Sequence, residues 1–340
     1  MSEFRQNIAT KEWVIIAPGR GKRPHDFAKE QVKRQPLPPY LPDCPFCPGN
    51  ESATPEPVLT IPMDGRWKIR VVPNKFAALQ PEFEATRVQV GSFLAAKGFG
   101  IAEVVIESPE HDKTIATMPL DEVAGILTAY RERYRAIAKN DKINLVTIFR
   151  NHGPRAGTSL EHPHSQIIAT PIVPPHVRYP IEQAIQHYDK YGTCVYCDMV
   201  AEEIRQGERI VVDSGNFVAF CPWAARTPFE ARIYPKRHAA SFGLINDDEI
   251  WELAAVLHSM LRRIYVCLEN PDYNFVLRSS PVGDEDVRYL HWYLIIIPKV
   301  TTPAGFEIGS GIYINTVSPE DSARYFKATD PKDELTRASY

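Results

Sequence analysis

Two passages of this 340-residue chain place the same unusual residues in the same order, and that repetition limits its folds more than any single motif does. In the first, Cys44-Pro-Phe-Cys47 is followed by a strand pattern running to His111, an amphipathic helix, and a strand leading to His162. In the second, Cys194-Val-Tyr-Cys197 is followed by a strand pattern running to His238, another helix, and a strand leading to His291. His111 and His162 are 51 positions apart, and His238 and His291 are 53 apart. Asn216-Phe-Val-Ala-Phe220 is read as the counterpart of Asn74-Lys-Phe-Ala-Ala78. The chain therefore reads as a duplicated α+β unit, residues 1–180 and 190–330, with its seam in the Pro- and His-rich stretch 171–191. Each copy should form an antiparallel sheet with a helix packed on one side.

Periodicity supports those elements. Residues 67–72 and 100–106 alternate as strands, and residues 144–149 form a further one. Pro119-Leu-Asp-Glu opens a helix, with Asp121 as its cap and Val123, Ile126, Leu127, Tyr130, Tyr134 and Ile137 at helical spacing. The second helix repeats Ile250, Leu253, Ala254, Leu257, Leu261 and Ile264. A net charge of −3 without a basic stripe argues against nucleic acid as partner. No apolar run approaches the length of a bilayer span, and Met1 to Gln6 lacks a leader pattern, so the expected location is the cytoplasm, off the membrane.

Four of the six cysteines form the two Cys-x-x-Cys pairs, a spacing that in a reducing compartment points to metal or redox chemistry. Cys44-Pro-Phe-Cys47 sits in a proline-rich loop, which suits a metal knuckle. Two thiolates and two imidazoles per copy make the ligand set of a closed tetrahedral zinc site: Cys44, Cys47, His111 and His162, then Cys194, Cys197, His238 and His291. With all four positions filled, both metals should be structural. Cys221 and Cys267 read as small buried apolar residues.

Chemistry concentrates in Asn151-His-Gly-Pro-Arg-Ala-Gly-Thr-Ser-Leu-Glu-His-Pro-His-Ser-Gln166. On a strand, His162, His164 and Gln166 project from one face, and Pro163 stiffens the pair of histidines. Tyr293 stands in the second copy where His164 stands in the first, Ile295 replaces Gln166, and no counterpart of Gly157-Thr-Ser159 exists. The first copy alone thus carries an active centre. A neutral His164 attacks phosphorus well if its other nitrogen is held by a backbone carbonyl. Gln166 and Ser159 can donate to phosphoryl oxygens as charge develops there. Arg20, Lys22 and Arg23 read from composition as solvated charges, yet beside such a site Arg20 and Arg23 are the natural phosphate clamp. The exchanged reading, with His164 on the metal and His162 as nucleophile, conflicts with the alignment of His291 to His162.

Asn-x-Gly-x-x-x-Gly-x-Ser-x-x-His-Pro-His-x-Gln closely resembles the active-site stretch of galactose-1-phosphate uridylyltransferases, a branch of the histidine-triad superfamily. Gly19-Arg-Gly-Lys-Arg-Pro24, Cys44-Pro-Phe-Cys47, residues 73–79 and Ser108-Pro-Glu-His111 are similar to the same family. The resemblance implies duplicated histidine-triad-like domains, a homodimer whose subunits share sites, and a role in carbohydrate metabolism. It implies a ping-pong transfer in which His164 takes a nucleotidyl group from a nucleotide sugar and passes it to a sugar phosphate or phosphate. Asn74, Asn151, Gly157, Ser159 and Gln166 would line the nucleotide and phosphate pocket. The leading expectation is a UDP-glucose:hexose-1-phosphate uridylyltransferase. Two departures favour an alternative. The second copy has His291-Trp-Tyr293 in place of a His-x-His pair, and Gly311 stands where those enzymes hold the sugar with a glutamate. A branch with two zinc sites and a Gly-Phe-Glu-Ile-Gly segment is more similar, and it transfers adenylyl from ADP-glucose to phosphate. A non-catalytic zinc-stabilised nucleotide-binding protein would explain the cysteines, but not why His164, Gln166 and Ser159 occur in one copy only. A hydrolase would need a titratable group where Gln166 stands.

Overall fold

Alternate residues of the apolar strands enter a core shared with two long helices, and the other face of the same strands is left for chemistry. The computed structural model describes residues 1–20 and 36–329. In chain order the strands that matter are β1 (Glu3–Gln6), β2 (Trp13–Ile16), β3 (Leu59–Met63), β4 (Arg66–Pro73), β5 (Arg87–Val90), β6 (Phe93–Ala96), β7 (Ile101–Ile106), β8 (Leu145–His152) and β9 (His164–Thr170). The second half supplies β10 (Ile210–Asp213), β11 (Phe217–Phe220), β12 (Ala231–Pro235), β13 (Tyr273–Arg278) and β14 (Tyr293–Pro298), and β15 (Tyr313–Asn315) follows. Helices α1 (Leu120–Ile137) and α4 (Asp247–Cys267) are the repeat helices, and α2 (Pro175–Tyr191) and α3 (Val195–Gln206) lie between the copies.

Among the described residues, ten strands form one sheet in the order β10-β11-β12-β14-β13-β8-β9-β7-β4-β3. Every pairing within it is antiparallel. The two copies are therefore five-stranded halves related by a pseudo-twofold about β8 and β13, whose pairing (Asn274 opposite Asn151) makes them continuous. Helices α1 and α4 lie side by side on one face. There Ile69, Val105, Ile148 and Ile167 meet Val123, Ile126 and Leu127, while Phe275 and Leu294 meet Leu253, Leu257 and Leu261, all buried. Each such side chain contributes about 1.5–3 kcal/mol. The small sheet β1-β2-β15 brings residues 3–6 and 313–315 together, and β5 and β6 form a separate hairpin. No helix among the described residues is long and apolar enough to cross a membrane.

Three expectations change. Asp121 does not cap α1: Pro119 occupies the cap position without a side-chain bond, and Asp121 instead pairs with Lys68 of β4. Helix α4, by contrast, opens on a reciprocal capping box of Asn246 and Glu249. The stretch read as a seam is helix α2, with Pro175 in its first turn and Pro180 inside it. Finally, β11 occupies the position of β4 in its half-sheet, so residues 217–220 correspond to residues 69–72 and not to 74–78.

Candidate active site and metal centre

Cys44 and Cys47 come from the proline-rich loop, His111 from the turn after β7, and His162 from the residues entering β9. The four are buried together. Cys44 Sγ lies 3.7 Å from His162 Nδ1, Cys47 Sγ lies 3.6 Å from both His162 Nδ1 and His111 Nδ1, and the two Nδ1 atoms are 3.2 Å apart. Zinc–sulfur and zinc–nitrogen bonds of ordinary length would give tetrahedral edges of roughly 3.3–3.8 Å, so the donors fit a zinc ion. His162 donates from Nε2 to the Ser108 carbonyl at 2.8 Å, which leaves Nδ1 as the free lone pair. Burial pushes the His162 imidazole down to about 4, so it is neutral and able to ligate.

In the second half, Cys194, Cys197 and His238 converge, with Cys194 at the N-cap of α3. His291, expected as the fourth ligand, lies outside that cluster. Its Nδ1 donates to the Trp292 carbonyl at 2.9 Å, which turns that nitrogen away from the cluster. The cluster is also less enclosed, with Cys197 half-buried and His238 exposed. Metal analysis of the purified protein should return about two zinc ions per chain. The second should leave first under a weak chelator; simultaneous loss would contradict the difference in enclosure.

His164 opens β9, and burial within the sheet holds its imidazole below the ordinary value of 6.5. Its Nδ1–H donates to the His162 carbonyl at 2.8 Å, leaving Nε2 with its lone pair toward a cavity of about 1100 Å³. Phe46, inside the Cys-x-x-Cys loop, packs edge-on against both His162 and His164, with centroids 5.9 and 5.6 Å away. The metal loop thus also wedges the second imidazole in place. Because the shift is downward, His164 stays unprotonated to more acid pH than a free histidine. Nucleotidyl transfer should fall on the acid side with a midpoint below 6.5, as protonation removes the lone pair. A decline centred above 6.5 in a pH–rate profile would contradict the buried geometry.

The turn from β8 toward Ser159 needs its glycines. Gly153 and Gly157 flank the short helix Pro154–Ala156 with φ of 87° and 89°, a region that other residues rarely enter. Asn151, Ser159, His162 and His164 all line the cavity. Gln166 shares the His164 face two residues further in, and Gly157 lies beside Asn151, whose Nδ2 would be 3.8 Å from an added Cβ. Asn74 sits at the other end of the sheet face, its N–H bonded to Ala102 O and its Oδ1 accepting from the Phe76 N–H. Arg20 ends the short helix Pro18–Arg20, and Arg23 lies outside the described residues.

Several contributors carry no motif. Asn274, from the second half, donates to Asn151 Oδ1 at 2.8 Å and to Ala156 O at 2.9 Å, and Asp272 accepts from the Arg155 N–H at 2.5 Å. The second copy therefore holds the loop of the first. Asn274→Ala should lower kcat/KM by roughly 3- to 30-fold through misplacement of Asn151, about the worth of one or two hydrogen bonds, with little change in thermal midpoint. An unchanged rate would leave Asn274 without a positioning role. On the helix side of the same strands, Arg150 is fully buried against Glu107 at 2.8 Å and donates to the Tyr273 hydroxyl at 2.9 Å. Tyr130 there bonds Ser165, the residue after His164, at 2.7 Å. The only hint in the sequence was a pair of charges, Glu107 and Arg150, at the ends of apolar strands.

A neutral imidazole on a strand that opens beside a Cys/His quartet able to hold a metal, facing a cavity lined by Asn151 and Ser159, is suited to handling phosphoryl groups. Residues 1–174 match the family described as galactose-1-phosphate uridyl transferase, N-terminal domain, and residues 115–327 match a domain family of unknown function. The chain belongs to the galactose-1-phosphate uridylyltransferase family, within the histidine-triad superfamily, and is a nucleotidyltransferase. It is 36% identical to ADP-glucose phosphorylase of Arabidopsis thaliana over 96% of this chain and 92% of the relative. It is 28% identical to galactose-1-phosphate uridylyltransferase of Thermotoga maritima over 97% and 99% of the two chains. The crystal structure of the Arabidopsis phosphorylase with bound ADP-glucose superposes with a TM-score of 0.83 at 33% identity, covering 97% of this chain and all of that one.

Proposed function

We propose that the chain is an adenylyltransferase that moves AMP from ADP-glucose to phosphate through a covalent adenylyl-His164. The observation that carries the transfer chemistry is the hydrogen bond from His164 Nδ1 to its own chain's carbonyl, which aims a neutral Nε2 into the cavity. Nε2 attacks the α-phosphorus, a P–N bond forms as the bond to the bridging oxygen breaks, and glucose 1-phosphate leaves carrying that oxygen. A phosphate oxygen then attacks the same phosphorus, the P–N bond breaks, and ADP leaves with His164 restored. Asn151 Nδ2, Ser159 Oγ and the Gln166 amide are the donors placed to bind phosphoryl oxygens. Zinc in the first quartet would hold His162 rigid, and through it the strand that carries His164.

Likeness to the Arabidopsis enzyme, higher in identity than that to the bacterial uridylyltransferase, favours adenylyl over uridylyl transfer, and so favours phosphate over a hexose 1-phosphate as acceptor. Feeding ADP-glucose with phosphate, and separately UDP-glucose with galactose 1-phosphate, tests this directly. ADP and glucose 1-phosphate should appear in the first mixture; turnover confined to the second would restore the uridylyl reading. Arg23 should serve the phosphates: Arg23→Ala is expected to cost roughly 1.5–3 kcal/mol in kcat/KM with little change in thermal midpoint. Lowered stability with an unchanged rate would make that loop structural. The reading includes a homodimer, for which the exposed hairpin residues Val88, Val90 and Phe93 offer an apolar face; sedimentation at one-chain mass would exclude it.

A further inference from the structure

The half that lost the nucleophile has kept a cleft. Val276 pairs with Ile295 across β13 and β14 as Phe149 pairs with Gln166 across β8 and β9. Two residues on, Arg278 pairs with Tyr293, so Arg278 stands in the place of Asn151 and Tyr293 in that of His164. A cavity of about 440 Å³ opens over these two residues, a size ordinary for small-molecule sites. Its floor is flat and aromatic, because the Tyr293 ring stacks on Tyr234 with centroids 4.7 Å apart and planes within 17°.

The charges around it do not cancel. Two arginines of the wall are matched by carboxylates: Arg232 donates to Glu230 at 2.8 Å, and Arg226 pairs with Glu12. Arg278 and Lys299 also line the cavity, and among the described residues neither side chain has a hydrogen-bond or ion-pair partner. His176 of α2, on the opposite wall, is driven toward its neutral form by burial and then by the charges of Arg278 and Arg226. Two uncompensated cations beside an aromatic floor, with Tyr293 standing in the place of the His164 imidazole, define a binding pocket and not a second reaction centre. We propose that this cleft binds the phosphate monoester of a small sugar, its dianion on Arg278 and its ring over Tyr293, with Lys299 adding positive charge from the far end of the same β14 face.

The test uses the full chain and calorimetric titration with glucose 1-phosphate, and separately with inorganic phosphate. Wild type should take about two glucose 1-phosphate molecules per chain, one in the His164 cavity and one here. Arg278→Ala should weaken the second by roughly 10- to 100-fold, Arg278→Lys should retain it, and transfer from ADP-glucose should be unchanged in both. Lys299→Glu, on a surface-accessible side chain, weakens the same site independently of whether Arg278→Ala folds well. Inorganic phosphate should occupy the second site roughly tenfold more weakly, for want of a ring on the tyrosine floor. Binding in wild type that neither Arg278→Ala nor Lys299→Glu weakens overturns the proposal, whereas a single wild-type site that both variants weaken supports it and removes glucose 1-phosphate from the His164 cavity instead. Equal affinity for phosphate and the ester overturns the sugar part of it.

Discussion

Replacing His164 with glycine should leave a folded, metal-loaded protein whose transfer rate has fallen by many orders of magnitude, on the order of 10⁶ where a covalent nucleophile is lost. The size follows from the division of labour. Binding donors on Asn151, Ser159 and Gln166 remain, but the other imidazoles lining the cavity are each held in another role. His162 and His111 turn Nδ1 to the metal position, and His152 bonds Asn270 at 2.9 Å. Fold should survive because the imidazole projects from the sheet face opposite the main core, where Ile167 and Ala169 of the same strand are buried. Free imidazole can enter the space left behind, so a preformed nucleoside phosphoimidazolide should restore the second half-reaction in the variant. A His164→Gly enzyme that retains transfer would move the nucleophile elsewhere.

Breaking the first metal quartet should have the other large effect, on stability instead of on chemistry alone. A structural zinc contributes roughly 10 kcal/mol or more to the state that binds it, comparable to the whole stability of a domain. The quartet joins the loop of Cys44 and Cys47, the turn at His111 and the start of β9, which have little other core between them. Its local apolar cluster is small, with Phe46, Val72, Val104 and Ile106 as its buried members beside the two cysteines. His162→Gly or chelation should therefore lose zinc, lower the thermal midpoint sharply, and release Phe46 from His164 so that activity falls as well. Cys197→Ser in the half-exposed second cluster should lower it much less. Equal losses at the two sites would mean that enclosure does not set their contribution.

Residue types with few alternative uses were the ones legible from sequence. The Cys and His of the first quartet, the His164 face and the two repeat helices could be placed because thiols, imidazoles and 3.6-residue periodicity each admit few readings. Helix α2 was not legible because its prolines at 175 and 180 mimic a linker. Pro175 costs nothing in a first turn, where its missing N–H has no partner to lose. The position of His291 was also hidden. Spacing brought it to the right strand end, but which way its ring turns is set by the Trp292 carbonyl, a contact that no spacing encodes. Asn274 and Asp272 were invisible for a different reason. They act across the pseudo-twofold on a loop more than a hundred positions away, and only the β8–β13 pairing brings them there.

The covalent adduct tests the central claim most directly. The protein, mixed with ADP-glucose labelled at the α-phosphorus and quenched before phosphate is added, should carry one acid-labile adenylyl group per chain. Mass spectrometry should place it on the peptide containing His164, and phosphate should discharge it as ADP. A label on His162 or on another peptide, a label that persists in His164→Gly, or turnover of ADP-glucose without any trapped adduct would contradict the account.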